Sequence, residues 1–210
     1  MSALDNYSPT AVSIVKLFAY PLRSAPTADL VTWGVNQVQG GQTPGQLLTF
    51  IFNLAIPQSP FTAYGVGTTD TAFCTALVDN LCFGTDIGAA TKAEWVAYLV
   101  PLVGTQATRG DFALWVGALV DGYEGDVVDL LTLKAALAQR AETAAQFAQS
   151  PAGAVWDGQG YAQLLAPLSP APEPTYALTA SAGSVNEGAS ITFTLDTTQV
   201  AAGTAFGYTL

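Results

Sequence analysis

Apolar and polar positions change their rhythm once along this chain. Up to about residue 166 apolar residues recur at helical spacing; after about residue 175 they alternate with polar ones. The first rhythm predicts amphipathic helices and the second half-buried strands. Helix starts are legible from their capping residues. Thr10 precedes an apolar run to Tyr20, and Thr27 opens a segment to about Val38. Thr43-Pro44 sets a capping residue before a proline at the first helical position, for a run to about Ala55. Asp70 caps a run to about Phe83, and Thr91-Lys92-Ala93-Glu94 reads as a capping box for a helix to about Val103. Thr108 starts a helix to about Val120. Asp126 or Asp129 opens the last long helix, to about Gln149, and a short one covers Gly158–Leu165.

These elements fall into two weakly repeated units. Trp33 and Trp95 each stand just inside a helix start, 62 residues apart. Downstream, Gln42-Thr43-Pro44-Gly45-Gln46-Leu47 matches Ala107-Thr108-Arg109-Gly110-Asp111-Phe112 at an offset of 65. Each unit reads as a helix, a loop, a tryptophan-bearing helix, a glycine turn and a threonine-capped helix, and two such units share one core. The fold class is therefore a mainly α-helical domain, residues 1–166, followed by a truncated β-sandwich segment. Four prolines between Pro167 and Pro174 make residues 167–174 an extended linker. In 175–210, Tyr176–Ser181 and Ile191–Leu195 alternate as strands around an Asn186-Glu187-Gly188 turn, with a further strand at Ala205–Leu210. A sandwich of this kind needs about 100 residues, so the chain reads as a piece of a longer protein.

Composition narrows the function. Half of the residues are apolar and 10% are charged, enough for a core and too few charges for a disordered chain. The net charge is −10, and the six basic residues are scattered, which argues against nucleic acid as a partner and against electrostatic docking on a bare anionic membrane. No apolar run reaches membrane-spanning length. The start lacks the basic and apolar regions of a signal peptide, so any export address lies elsewhere. The sequence contains no histidine, and therefore neither the commonest general base nor the commonest metal ligand. Cys74 and Cys82, eight apart in one predicted helix, lie roughly 12 Å apart along its axis and read as buried apolar residues, not a bridge.

Several residue patterns invite a chemical reading. Asp121, Glu124, Asp126 and Asp129, set among Gly122 and Gly125, form an oxygen-rich loop that suits calcium, the cofactor expected here; N-capping acids on a solvated loop explain it equally. Asp79 and Asp86 around Gly84 are a weaker pair of the same kind. Arg109-Gly110-Asp111 spells an adhesion tripeptide inside a capping turn, which gives it a structural role. Trp33, Trp95, Trp115 and Trp156 are expected in the core. Tyr64, in the Gly- and Thr-rich loop Tyr64–Thr69, is expected to be exposed and is the candidate ligand-binding aromatic. No nucleophile elbow, phosphate loop or dinucleotide fingerprint is present, and no carboxylate pair stands out, so the chain is read as no enzyme.

Two stretches resemble known families. Thr69–Leu77, Gly84-Thr85-Asp86 and Glu94–Leu99, with Tyr20–Trp33 repeating the outline, resemble a helical family of bacterial RTX-type and S-layer surface proteins over residues 10–150. Cys82-Phe83-Gly84-Thr85 departs from that pattern in lacking an arginine after the glycine. Ser184–Gly188 with Ile191–Leu195 resembles the Ig-like or Calx-β-like repeats of large bacterial adhesins. The resemblance implies a secreted protein at the bacterial cell surface, exported by a type I machine. It implies an attachment or lattice-assembly module whose partners are envelope polysaccharide or lipopolysaccharide and copies of itself. The alternatives are a spacer or oligomerisation cap without a ligand, and a carboxylate-based glycan hydrolase.

Overall fold

Serine and threonine stand before most of the helices. In the computed structural model, which describes residues 2–54, 64–65, 67–153 and 175–198 apart from 183, 185 and 189, five helices begin on a hydroxyl that accepts a backbone N–H from the first turn. Ser8 caps α1 (Pro9–Ala19), Thr27 caps α2 (Ala28–Gln39) and Thr43 caps α3 (Pro44–Asn53). Thr69 caps α4 (Asp70–Leu81) and Thr108 caps α6 (Arg109–Asp121). Each such bond satisfies a donor the helix cannot satisfy itself, and is worth about 1 kcal/mol. Between them lies α5 (Ala89–Leu99), continued by a 3-10 turn at Val100–Thr105, and the longest helix, α7 (Val128–Gln149), follows. The described residues are thus mostly helical, with a small antiparallel sheet at their C-terminal end.

Four predicted starts move. The cap of α1 is Ser8 rather than Thr10, because Pro9 is ready-made for the first turn. Thr69 caps α4, and Asp70 becomes its first residue, where the helix dipole favours an acid. The Thr91–Glu94 box does not form: α5 begins three residues earlier, at Ala89 behind Gly88, with no side-chain cap. Neither Asp126 nor Asp129 caps α7, which starts behind Val127 without one. The expected helix at 158–165 and strand at 205–210 lie outside the described residues.

The two repeats are visible as α1-α2-α3 and α4-α5-α6. α1 packs on α2, α4 packs on α5, and α3 meets α6 across the middle. The last contact is close enough to exclude side chains. A methyl on Gly110 would come within 2.0 Å of the Gly45 carbonyl oxygen, and one on Gly45 within 2.8 Å of the Asp111 Cα. These are the two glycines that the 65-residue offset superposes. Around this crossing, Phe52, Tyr64, Phe73, Phe112 and Trp115 form a run of ring contacts with centroids 4.5–6.1 Å apart. α7 packs against α1 and α6 with Leu133, Leu137, Ala141, Ala144, Ala145 and Ala148 buried.

The chain divides into two compact units, Met1–Pro170 and Ala171–Leu210. In the second, β1 (Thr175–Ala180) pairs antiparallel with β2 (Phe193–Thr198), with Leu178 opposite Leu195 and Ala180 opposite Phe193. β2 starts two residues later than the alternation from Ile191 suggests. Residues directly opposite share a face, so Leu178, Phe193 and Leu195 lie together, and all three are exposed.

Candidate functional site

The candidate site is an apolar groove in the second helical unit. Four helices converge there. Val78, Leu81 and Cys82 come from the end of α4, and Trp95, Tyr98 and Leu99 from α5. Val116, Leu119 and Val120 come from α6, with Tyr123 just beyond it, and Leu130 and Leu133 from α7. The cavity holds about 370 Å³, within the range of small-ligand sites. Val78, Leu81, Cys82, Leu99, Val116, Val120 and Leu133 are buried, whereas Tyr98 is 65% and Leu119 48% exposed. The wall is thus continuous with the hydrophobic core and the mouth is apolar as well. Val127, Val128 and Leu131 add exposed apolar side chains at the start of α7.

The groove carries no charge of its own. Burial pushes the Cys82 thiol up to about 11, so it stays protonated at neutral pH. The Tyr123 hydroxyl accepts the Val127 backbone N–H at 2.9 Å. On α7, the side chain of Lys134 donates to the Tyr123 carbonyl at 2.8 Å.

The end of α4 that forms one wall is held by Arg140. This residue is 3% exposed and donates to the carbonyls of Asn80 (2.8 Å), Leu81 (2.7 Å) and Phe83. A cation at a helix C-terminus meets the negative end of the dipole. Burial, with Arg23 nearby, lowers its guanidinium to about 10, which still leaves it charged at neutral pH. Sequence reading missed Arg140 as a capping group. Its signal was a lone cation on the Leu133-Leu137-Ala141-Ala144 face of an otherwise apolar helix.

Tyr64 is not exposed. It is 1% accessible, stacked on Phe52 at 4.5 Å, and its hydroxyl donates to the Pro21 carbonyl and accepts from the Asn80 amide. A glycine-rich loop suggested a surface tip; the aromatic ring instead folds the loop inward, so Tyr64 offers no stacking face to a ligand.

The four acids of the 121–129 loop are not gathered. Asp121 is engaged by the Lys16 ammonium at 2.6 Å and the Tyr20 hydroxyl at 2.9 Å. Glu124 and Asp126 are exposed, and Asp129 lies in the first turn of α7. Among the described residues no group of three or more Cys, Asp or Glu side chains could hold a metal ion. Asp79 faces Lys92 at 3.7 Å, and Asp86 is exposed.

Arg109-Gly110-Asp111 is consumed by structure. The Arg109 guanidinium donates to Thr68 twice and to Asp70, Gly110 packs on Gly45, and Asp111 accepts the Thr108 hydroxyl. Trp33, Trp95 and Trp115 are partly buried against the core, and Trp156 lies outside the described residues. Cys74 and Cys82 are both buried free thiols, as their spacing implied.

The groove itself had a signal in the sequence. Leu119-Val120, Val127-Val128 and Leu130-Leu131 are apolar doublets, and adjacent residues on a helix cannot both face one core. No helix among the described residues is long and apolar enough to cross a membrane. No known protein family, no characterised protein and no solved structure matches this chain.

Proposed function

We propose that this chain is a non-enzymatic attachment module of a secreted bacterial surface protein, and that it attaches through the groove between α4, α5, α6 and α7. The observation that carries this reading is the groove itself: a built cavity of about 370 Å³ whose wall and mouth are hydrocarbon. Exposed apolar surface that is both concave and contiguous marks recognition sites. The absence of titratable side chains from its lining, apart from Cys82 and two tyrosines, supports binding over catalysis. The surface setting rests on the resemblance of residues 10–150 and 184–195 to bacterial surface proteins, and lipopolysaccharide is the partner class it brings. Calcium enters this reading only as a bridge between an acidic protein and an anionic envelope.

The test is retention of the intact protein on purified bacterial envelope fragments. Leu119→Asp places a charge at the exposed mouth without disturbing the core, and lowers retention at least about tenfold. Retention equal to that of the unaltered protein removes the groove from the attachment surface.

Val127, Val128 and Leu131 favour a second reading, self-association, because they extend the apolar surface beyond the groove. Sedimentation over a wide concentration range separates the two: a monomer at all concentrations leaves attachment alone.

A further inference from the structure

We propose that Arg23 anchors an anion-binding site, which takes an oxyanion, the carboxylate or phosphate group of a larger ligand, end-on through its guanidinium fork. The site is separate from the groove, since neither Arg23 nor Phe83 lines it.

Three observations single out Arg23. It stands between α1 and α2 at φ +50°, in the left-handed region, and among the described residues no other non-glycine residue has a positive φ. A side chain there strains the backbone, and such strain collects at ligand clamps. Its Nε is sealed from water without a hydrogen-bond partner, alone among the buried side-chain nitrogens and oxygens of the described residues. Its guanidinium carbon lies 3.8 Å over the centre of the Phe83 ring, so one face of the group is covered.

What remains open is the far end of the fork. Only Nε is sealed, so the two terminal nitrogens reach solvent. Among the described residues the guanidinium forms no ion pair and donates no hydrogen bond. A partly buried guanidinium whose five N–H groups have no partner in the fold is costly, and an arriving acceptor offsets that cost. The planar fork presents two parallel donors, which match the two oxygens of a carboxylate or a phosphate.

Charge favours the same occupant. Lys16, Lys92 and Arg109 are paired with Asp121, Asp79 and Asp70. Lys134 donates to the carbonyl of Tyr123, at the head of a loop that carries Glu124 and Asp126. Arg140, near enough to feel the charge of Arg23, spends its donors on three carbonyls and has no acid of its own among the described residues. Of the groups that act on Arg23, Tyr64 is kept neutral by burial, and Asp79 is shared with Lys92 at 3.7 Å. In a chain of net charge −10, positive charge is thus in excess here.

The experiment titrates the intact, nitrogen-15-labelled protein with acetate and, separately, with dimethyl phosphate. Chloride holds the ionic strength constant, and the Nε–H resonances of Arg23, Arg109 and Arg140 are followed. The expected result is a saturable shift of the Arg23 signal with at least one of the two anions. Arg23→Lys keeps the charge without the fork and weakens binding at least about threefold, as followed on the backbone amides of the same loop. Arg23→Gln abolishes saturation. Arg23→Gly also abolishes it, yet leaves the melting temperature unchanged or raised, because glycine relieves the strained backbone. Circular dichroism verifies that each variant is folded.

A response to acetate alone identifies the group as a carboxylate, and a response to dimethyl phosphate alone identifies it as a phosphate. No saturable shift of the unaltered protein with either anion overturns the proposal, and that result depends on no variant. Saturation that survives Arg23→Gln overturns it as well.

Discussion

The first and second helical units share an element order, yet among the described residues the apolar groove lined by four helices lies in the second. The difference traces to where each helix pair keeps its small residue. In the first unit Gly34 of α2 faces Ile14 of α1, and a methyl on the glycine would come within 2.8 Å of the Ile14 Cγ2. The helices close on each other through that contact. At the same offset that relates the tryptophans, the second unit has Ala76 in place of Ile14 and Val96 in place of Gly34. The bulk has moved from the first helix of the pair to the second, and both the groove and a second cavity beside Lys92 and Val96 border α4 and α5. A duplicated unit can thus keep its fold while changing what it leaves open, because closure of a helix pair depends on which side holds the smallest residue.

The contact that both units share is the most sensitive to change. Gly110→Ala drives a methyl into the Gly45 carbonyl, which is backbone and cannot turn aside, and should destabilise the protein by about 3 kcal/mol or more. Gly104→Ala, where nothing lies within 4 Å, is the control and should shift stability by less than about 0.5 kcal/mol. Urea denaturation of the two variants measures both; equal stabilities would mean that α3 and α6 do not meet at their glycines.

The comparison between units is sharpened by exchanging their contacts. Gly34→Val alone should cost about 2 kcal/mol by overpacking against Ile14. Adding Ile14→Ala should restore at least half of that, since the two residues touch and their effects are coupled. A double variant as unstable as the sum of its singles would show that the Ile14–Gly34 pair is not what closes the first unit.

The smallest effect concerns the N-terminus, which only the first unit carries. Glu142 of α7 accepts hydrogen bonds from the Ser2 hydroxyl and the Ala3 backbone N–H. Its slight burial would raise its carboxyl, but these bonds outweigh that and hold it below the ordinary carboxylate range. The stability it adds is therefore present above the ordinary carboxyl pKa and is lost as pH falls through the lowered value. For so exposed a group the loss is under about 1 kcal/mol. Stability of the protein and of Glu142→Gln, compared at neutral and strongly acidic pH, should converge in acid. A constant gap at all pH values would remove the carboxylate from the account.

Most of the fold was legible because capping is local. Thr27, Thr43 and Thr108 mark their helices from within four residues of sequence, and the repeat of Thr43-Pro44-Gly45 in Thr108-Arg109-Gly110 foretold which elements correspond. What the repeat could not show is that its two glycines touch each other, since that is a property of packing and not of spacing. α5 and α7 were misplaced at their starts because neither has a side-chain cap; burial of Ile87 just before α5 and of Leu133 and Leu137 within α7 positions them instead. The site was missed for a related reason. Tyr64 stands in a loop whose glycines suggest exposure, but a ring that can reach Phe52, Pro21 and Asn80 is worth more buried. The apolar doublets that do mark the groove look, residue by residue, like ordinary core.

Arg140 gives the chain a schedule. It lies 59 residues after Leu81, one of the carbonyls it engages. At a synthesis rate of about 5–20 residues per second, the end of α4 is made roughly 3–12 s before its capping cation leaves the peptidyl transferase. Through that interval the carbonyls of Asn80, Leu81 and Phe83 have only water. The second unit, and the groove with it, therefore reaches its final form only after α7 has emerged from the ribosome, whereas α1, α2 and α3 can begin to pair as soon as they are outside.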